Sequence, residues 1–188
     1  ITHIDDQIGV LLRALPKNTI VIFTSDHGEL LGDHQFIRKT RALEGSARIP
    51  FIVRFPESMG VAGGQVREEP IELMDVMPTC LEAAGVPVPE DVEGSSLLGL
   101  VRETGPGPAA WREWVHGEMN RLGGANPPTG MHYLTDGTRK YIWEPGIARE
   151  LYFDLETDPD ERVNLVELPE RAAEIDVWRT RLVERLRH

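Results

Sequence analysis

The chain has 188 residues, is 40% hydrophobic and 27% charged, and carries a formal net charge of -11. That composition supports a packed core in one domain, or one with a small appendage, and excludes wholesale disorder. The acidic balance excludes non-specific nucleic-acid binding, which needs Lys and Arg to neutralise phosphates. It leaves a small anionic substrate open, because a metal or a local cluster of cations can outweigh the net field.

Cys80 is the one cysteine, so an internal disulfide framework and a cysteine-rich zinc site are both excluded. A single cysteine is compatible with the cytoplasm or the periplasm. No apolar run approaches the roughly 20 residues of a membrane helix, and no membrane partner is expected. No secretory signal is present, and a chain that begins at Ile1 without Met reads as starting mid-protein.

In chain order, Ile4, Ile8, Leu11, Leu12 and Leu15 recur at helical spacing and predict an amphipathic helix that Pro16 stops. Asp5 and Asp6 lie on its solvated side as ordinary surface charge. Ile20 to Thr24 is apolar without alternation, which suits a parallel strand buried on both faces. Helix, short loop and buried strand form half of an α/β unit. A second strand is expected over Ile49–Arg54. The pattern Leu73, Val76, Met77, Cys80, Leu81, Ala84 predicts a helix capped by Asp75, with Pro78 in its first turn and Gly85 ending it. Cys80 falls on that helix's apolar face, where a free thiol is a small buried hydrophobe rather than a catalytic group.

Thr104-Gly105-Pro106-Gly107-Pro108 reads as a boundary, dividing residues 1–104 from a small unit at 105–188. Strand candidates follow at Trp114–His116, Met131–Thr135, Lys140–Trp143 and Leu151–Phe153, with Asp136-Gly137 as a hairpin signal. A last helix begins at Pro169 and presents Ile175, Trp178, Leu182, Val183 and Leu186. The fold class is therefore α/β with a small antiparallel sheet covered by one C-terminal helix. Trp111, Trp114, Tyr133, Tyr141, Trp143, Tyr152 and Phe153 are most simply that sheet's core; a sugar platform is secondary.

The chemistry-bearing stretch is Thr24-Ser25-Asp26-His27-Gly28, directly after the apolar strand. Sites in α/β sheets form beyond the carboxyl ends of strands. A carboxylate and an imidazole there are candidate ligands for a divalent metal, with Gly28 permitting a tight turn. Alone the triplet is weak, since Asp at a strand end more often forms a turn or caps a helix.

The continuation from Thr24 to Pro56 resembles a defining segment of the sulfatase family, within the alkaline-phosphatase-like superfamily. Ile1–Leu15 resembles the helix before that family's metal strand. Ile71–Leu100, Met131–Trp143 and Glu150–Leu165 resemble its later segments, in the right order. The resemblance implies the C-terminal part of an alkaline-phosphatase-like α/β sandwich plus a small α+β subdomain. It implies hydrolysis of sulfuric esters by the full-length parent, with Asp26 and His27 as metal ligands. Many members carry Asn at the second of these positions; His is a common variant. Lys39 matches a lysine that contacts the sulfate ester and stabilises the leaving group. Ca²⁺ is the expected ion, ahead of Mg²⁺ or Mn²⁺. Two departures stand out: Leu43 replaces a frequent aromatic before Glu44-Gly45, and Arg38 replaces the glycine commonly preceding the lysine. Arg38 is read as solvent-facing before it is read as a second cation of the site.

The resemblance also implies a formylglycine nucleophile, made from a Cys or Ser in a Cys/Ser-x-Pro/Ala-x-Arg context, and an N-terminal aspartate pair. Neither is in this sequence. Two protein ligands hold a hard cation poorly when it takes about six oxygens, so the chain alone is expected to be inactive. The missing N-terminal half, or a second copy, is expected to cover an exposed sheet edge. A phosphonate monoester or phosphodiester hydrolase is the rival reading, favoured by a borderline imidazole ligand at His27. A non-catalytic binding fragment is the third.

Of the six histidines, His34 is a candidate to face the substrate, against the usual reading of a surface loop histidine. His116 and His132 are candidates to reach over the site, with cross-strand packing the more ordinary reading. His3 and His188 are terminal. The Arg/Glu-rich end from Arg171 interleaves acids and bases and reads as a solvated amphipathic helix.

Overall fold

The computed structural model describes residues 1–102, 111–119 and 130–187. The Thr104–Pro108 boundary and His188 lie outside the described residues. The elements are α1 (Thr2–Ala14), β1 (Val21–Thr24), α2 (Glu44–Ala47), β2 (Phe51–Arg54), α3 (Val76–Ala83), α4 (Leu98–Arg102), β3 (Val115–Met119), β4 (Met131–Thr135), β5 (Arg139–Glu144), β6 (Arg149–Asp154) and α5 (Ala172–Arg185). No helix among the described residues is long and apolar enough to cross a membrane.

The first helix ends where expected, with Leu15 extended before Pro16. It buries no residue, and Ile4, Leu11 and Leu15 are exposed. The strand that follows corrects the expectation of a parallel sheet. Strand β1 pairs antiparallel with β2, in the register Val21↔Arg54 to Thr24↔Phe51. The connection from Ser25 to Pro50 leaves and returns at the same end of the pair, so no crossover carries the chain back. Nor is β1 buried on both faces: the opposed residues Phe23 and Ile52 are 44% and 62% exposed.

The helix over the 73–84 pattern is present as a 3-10 turn Leu73–Asp75 continuing into α3, with Gly85 beyond it at φ +69°. Its orientation differs from the expectation. Cys80 is exposed, as are Leu73, Met74 and Met77, while Pro78 and Thr79 are buried. Asp75 stands at the N-cap of α3 without a side-chain cap bond there; its side chain closes a capping box with Glu72 on the preceding 3-10 turn. Its fully buried carboxylate accepts from the Glu72 and Ser95 amides at 2.8 Å each and pairs with Arg112 at 2.6 Å. Thr79 donates to the Asp75 carbonyl at 2.6 Å and accepts from the Leu97 amide at 2.9 Å. This polar network draws the Thr79 side of α3 inward, and the apolar stripe turns outward.

Strands β3, β4, β5 and β6 form one antiparallel sheet in sequence order. The β4–β5 turn at Asp136-Gly137 is the expected hairpin. Gly137 has φ +90°, and Asp136 Oδ1 accepts from the amides of Thr138 and Arg139 at 2.8 and 2.7 Å. Side-chain alternation divides the sheet into two faces. Met131, Ile142 and Phe153 pack on Leu30, Ala42, Leu43 and Leu155. Leu134, Tyr141 and Tyr152 pack on Ile175, Trp178 and Leu182 of α5. Val183 and Leu186, expected on the helix's buried face, are exposed.

Between the first face and α2 lies a buried ionic triangle. Lys140 Nζ is 2.5 Å from Glu44 Oε1 and 2.9 Å from Glu161 Oε1, with no exposed side-chain surface of its own. Glu161 Oε2 also accepts from the Glu44 amide at 2.6 Å. Burial pushes the Glu161 carboxyl above its ordinary range, against the lowering pull of Lys140. The triangle ties β5 and the Asp160-Glu161 turn to the first turn of α2, and so fixes the small sheet against the loop that follows β1.

Candidate active site

Strand β1 ends at Thr24, and the chain leaves it through Ser25-Asp26-His27-Gly28. Ser25 Oγ donates to the His27 carbonyl, and the His27 amide donates to Asp26 Oδ1 at 3.0 Å. The His27 ring is oriented by Nδ1, which lies 2.8 Å from the Gly28 carbonyl. A carbonyl only accepts, so Nδ1 carries the proton. Nε2 is 2.5 Å from Lys39 Nζ, an ammonium that only donates. These two contacts suit the Nδ1–H tautomer, which leaves the lone pair at Nε2. That nitrogen is also 3.3 Å from Asp26 Oδ2, whose side chain is 84% exposed.

Gly28 is required here for a reason other than the tight turn expected of it. Its φ is not positive. Instead its amide donates to the Ser46 carbonyl at 2.9 Å, and a β-carbon would lie 2.2 Å from the Gly45 carbonyl oxygen. The close approach locks the Asp26-His27 corner to α2.

Lys39 returns to His27 because the intervening loop folds on itself. The Leu30 amide donates to the Arg38 carbonyl and the Gly32 amide to the Phe36 carbonyl, both at 2.8 Å. Leu31, His34, Gln35, Arg38 and Thr40 all have positive φ between 50° and 80°. Left-handed conformations are costly for side-chain-bearing residues and cluster where surrounding structure over-determines them, often at functional sites. Both neighbours of Lys39 are among them, and Arg38 itself is exposed.

The arrangement gathers a carboxylate and an imidazole lone pair around a cation. Asp26 and His27 offer a divalent metal one hard oxygen and one borderline nitrogen whose other ring atom is fixed by a carbonyl; the Lys39 ammonium, which has no lone pair, is not a ligand. Asp26, His27 and Lys39 are thus brought together. His34 is not part of that contact. Its Nε2 donates to the Asp160 carbonyl at 2.9 Å and docks the loop on the turn after β6.

His34 does line a cavity of about 260 Å³ with Phe36, Arg41, Glu144, Arg149 and Arg162. Arg41 Nη1 is 3.4 Å from Glu144 Oε1, and Arg149 Nε donates to Glu144 Oε2. The sequence singled out none of these three: Glu144 and Arg149 face each other across the β5–β6 hairpin, and Arg41 comes from the distant loop after β1. Leu43, where an aromatic was anticipated, is a buried core residue beside Leu30 and Phe153.

His116 and His132 do not reach over this site. His116 pairs in register with Leu134, and His132 with Glu118, so both project from the α5 face, opposite the face that packs on Leu30 and Leu43.

Residues 1–86 match the Sulfatase family model. The chain is 41% identical to an arylsulfatase of Clostridium perfringens over 193 aligned positions, covering 99% of this chain and 38% of that protein. It is similar in structure to BT4656, solved with D-glucosamine-2-N,6-O-disulfate as its substrate, at a TM-score of 0.83 and 28% identity over 97% of this chain and 38% of that one. It is equally similar to the phosphonate monoester hydrolase of Agrobacterium radiobacter, at a TM-score of 0.83 and 28% identity over 97% of this chain and 39% of that one. The chain spans about two fifths of the length of these relatives. With its mixed α/β architecture and antiparallel sheets, the chain belongs to the sulfatase family of the alkaline-phosphatase-like superfamily.

Proposed function

We propose that this chain is the C-terminal portion of a sulfuric-ester hydrolase, and that Asp26, His27 and Lys39 form one side of its active site. The observation that carries the reading is the convergence of the His27 lone pair, the Asp26 carboxylate and the Lys39 ammonium within 3.3 Å of His27 Nε2. Asp26 and His27 would hold a divalent cation, Ca²⁺ before Mg²⁺ or Mn²⁺. When bound, that cation would polarise the ester, and a formylglycine from sequence outside this chain would supply the nucleophile.

The chain's own residues do the rest. Gly28's carbonyl keeps His27 in the tautomer that presents its lone pair. Lys39 binds the ester anion and offsets the negative charge that grows as the S–O bond breaks. Its ammonium then moves from His27 Nε2 toward the ester, a short displacement for a flexible exposed side chain. Lys39 is the catalytic and substrate-binding group. His34, which lines the neighbouring cavity, is a candidate contact for the substrate's organic part.

The exposed apolar surface of α1, of Phe23 and Ile52, and of the outer stripe of α3 supports cover by an N-terminal half or a second copy. Residues 1–104 would then complete the larger α/β unit, and 105–188 would form the small sheet and helix. A monodisperse monomer of 188-residue mass in light scattering would count against this cover.

A phosphonate monoester or phosphodiester hydrolase is the second reading. The likeness to a phosphonate monoester hydrolase and the imidazole at His27 both favour it. Assaying the full-length protein with an aryl sulfate, a phosphate diester and a phosphonate monoester separates the two. Sulfate preferred over both supports the first reading; a preferred phosphonate or diester supports the second. No turnover of any of the three, in folded and metal-supplied protein, contradicts both.

A further inference from the structure

We propose that His116, Glu118 and His132 form a zinc-binding site on the α5 face of the small sheet, remote from the Asp26-His27 corner. The three residues come together through strand register. His132 lies directly opposite Glu118, and His116 is two residues before Glu118 on the same face. One ligand atom from each lies within 4.8 Å of the others.

Two of the three ligand distances approach those of a tetrahedral ion, and the third, between His116 and Glu118, lies within 4.8 Å. His116 Nε2 is 3.3 Å from His132 Nδ1, and His132 Nδ1 is 3.5 Å from Glu118 Oε2. Bonds of about 2.0–2.1 Å to zinc at a tetrahedral angle place two ligand atoms about 3.3–3.4 Å apart. The two imidazole planes lie within 11° of each other, with centroids 5.5 Å apart. A direct N–H···N bond at 3.3 Å is the alternative use of this pair, and the metal titration below separates the two.

Two imidazoles and a carboxylate are a donor set for zinc, with a fourth position left to water because the Glu118 side chain is 64% exposed. Zinc takes imidazole as a neutral ligand, so each ring would offer a nitrogen lone pair to the ion. Arg185 opposes a second positive charge here, although Glu93 pairs with it at 3.2 Å. Because β3 is the outer strand of the sheet, an ion bridging His116, Glu118 and His132 would staple it to β4.

The test is Co²⁺ titration of the full chain, followed by displacement with Zn²⁺. Visible ligand-field bands are expected, reversed by Zn²⁺, with a rise in the thermal midpoint when Zn²⁺ is added. His116→Ala and His132→Ala should abolish the bands, and Glu118→Gln should weaken binding about tenfold or more. Circular dichroism without metal checks that each variant folds, and Glu118→Gln, at an exposed side chain, decides if either histidine variant does not. The Asp26→Asn/His27→Ala double variant should keep the bands. Bands lost in that double variant but kept in the other three would place the ion in the active site, overturning this proposal and leaving the proposed function intact. Absent bands in the folded chain would also overturn it.

Discussion

A β-carbon on Gly28 would lie 2.2 Å from the carbonyl oxygen of Gly45. The corner that presents Asp26 and His27 is thereby pressed against the backbone of α2, and α2 is held by Glu161 and Lys140 from the small sheet. Gly28→Ala is expected to force the corner away from α2 and cost on the order of 1–3 kcal/mol. Gly45→Ala should cost less, because its added carbon's tight contacts are with side-chain atoms, Asp33 Oδ2 and Leu30 Cδ2 at 3.2 and 3.3 Å, and the Glu29 carbonyl lies at an ordinary 3.7 Å. Urea denaturation of the two variants checks the order; equal costs would contradict the close-approach argument.

The left-handed loop gives a prediction of opposite sign. Arg38 is held at φ +69° with its side chain exposed. A left-handed residue with a side chain costs about 1–2 kcal/mol, and glycine returns part of that through greater freedom in the unfolded chain, roughly 0.4–1 kcal/mol. Arg38→Gly should therefore stabilise by roughly 0.5–1 kcal/mol, and Arg38→Val should destabilise. Chemical denaturation measures both.

Removing Lys140 leaves Glu44 and Glu161 facing each other in a buried space. Lys140→Met should cost about 3–5 kcal/mol, the range for an uncompensated buried charge. The triple variant Lys140→Met/Glu44→Gln/Glu161→Gln should recover much of that loss. No recovery in the measured unfolding free energy would mean that packing, rather than charge, dominates at this junction.

Acid sensitivity is set partly by Glu150. Arg179 donates to both its oxygens, at 2.7 and 2.5 Å, and Tyr141 donates at 2.6 Å. The Arg179 guanidinium holds the Glu150 carboxyl below the usual carboxylate range, against the opposing effect of burial. A depressed folded pKa contributes stability above the unfolded value, near about 4.3, and that contribution is lost as pH falls through the folded value. Arg179→Leu should thus lower the urea midpoint at neutral pH and show a smaller deficit near pH 3. A deficit that does not change with pH would contradict the charge-based account.

Much of the small sheet is legible in the sequence. Its β-branched and aromatic runs, Asp136-Gly137 and the Ile175, Trp178, Leu182 spacing correspond to β4, β5, β6, the hairpin and α5. Strand direction at β1 is not legible, because an unbroken apolar run encodes burial and says nothing about whether the partner returns antiparallel. Cys80 reads as buried by helical spacing, yet Asp75 and Thr79 take the inner side of α3 through hydrogen bonds that hydropathy does not register. The faces of His116 and His132 were available in the alternation, since His132 shares parity with Leu134. The triangle of Glu44, Lys140 and Glu161 and the Arg41–Glu144 contact join segments far apart in sequence and have no local signature, whereas Glu144 and Arg149 are cross-strand partners in one hairpin.

Lys39 and the Asp26-His27 pair are proposed to act together on a sulfuric ester. The most direct test is kcat/KM for an aryl sulfate in the full-length protein, comparing wild type with Lys39→Ala and His27→Ala, each shown to be folded. Removing a transition-state charge contact typically costs about 10²–10³-fold, and a loss of that order is expected in both variants. Wild-type activity in either folded variant would contradict the account.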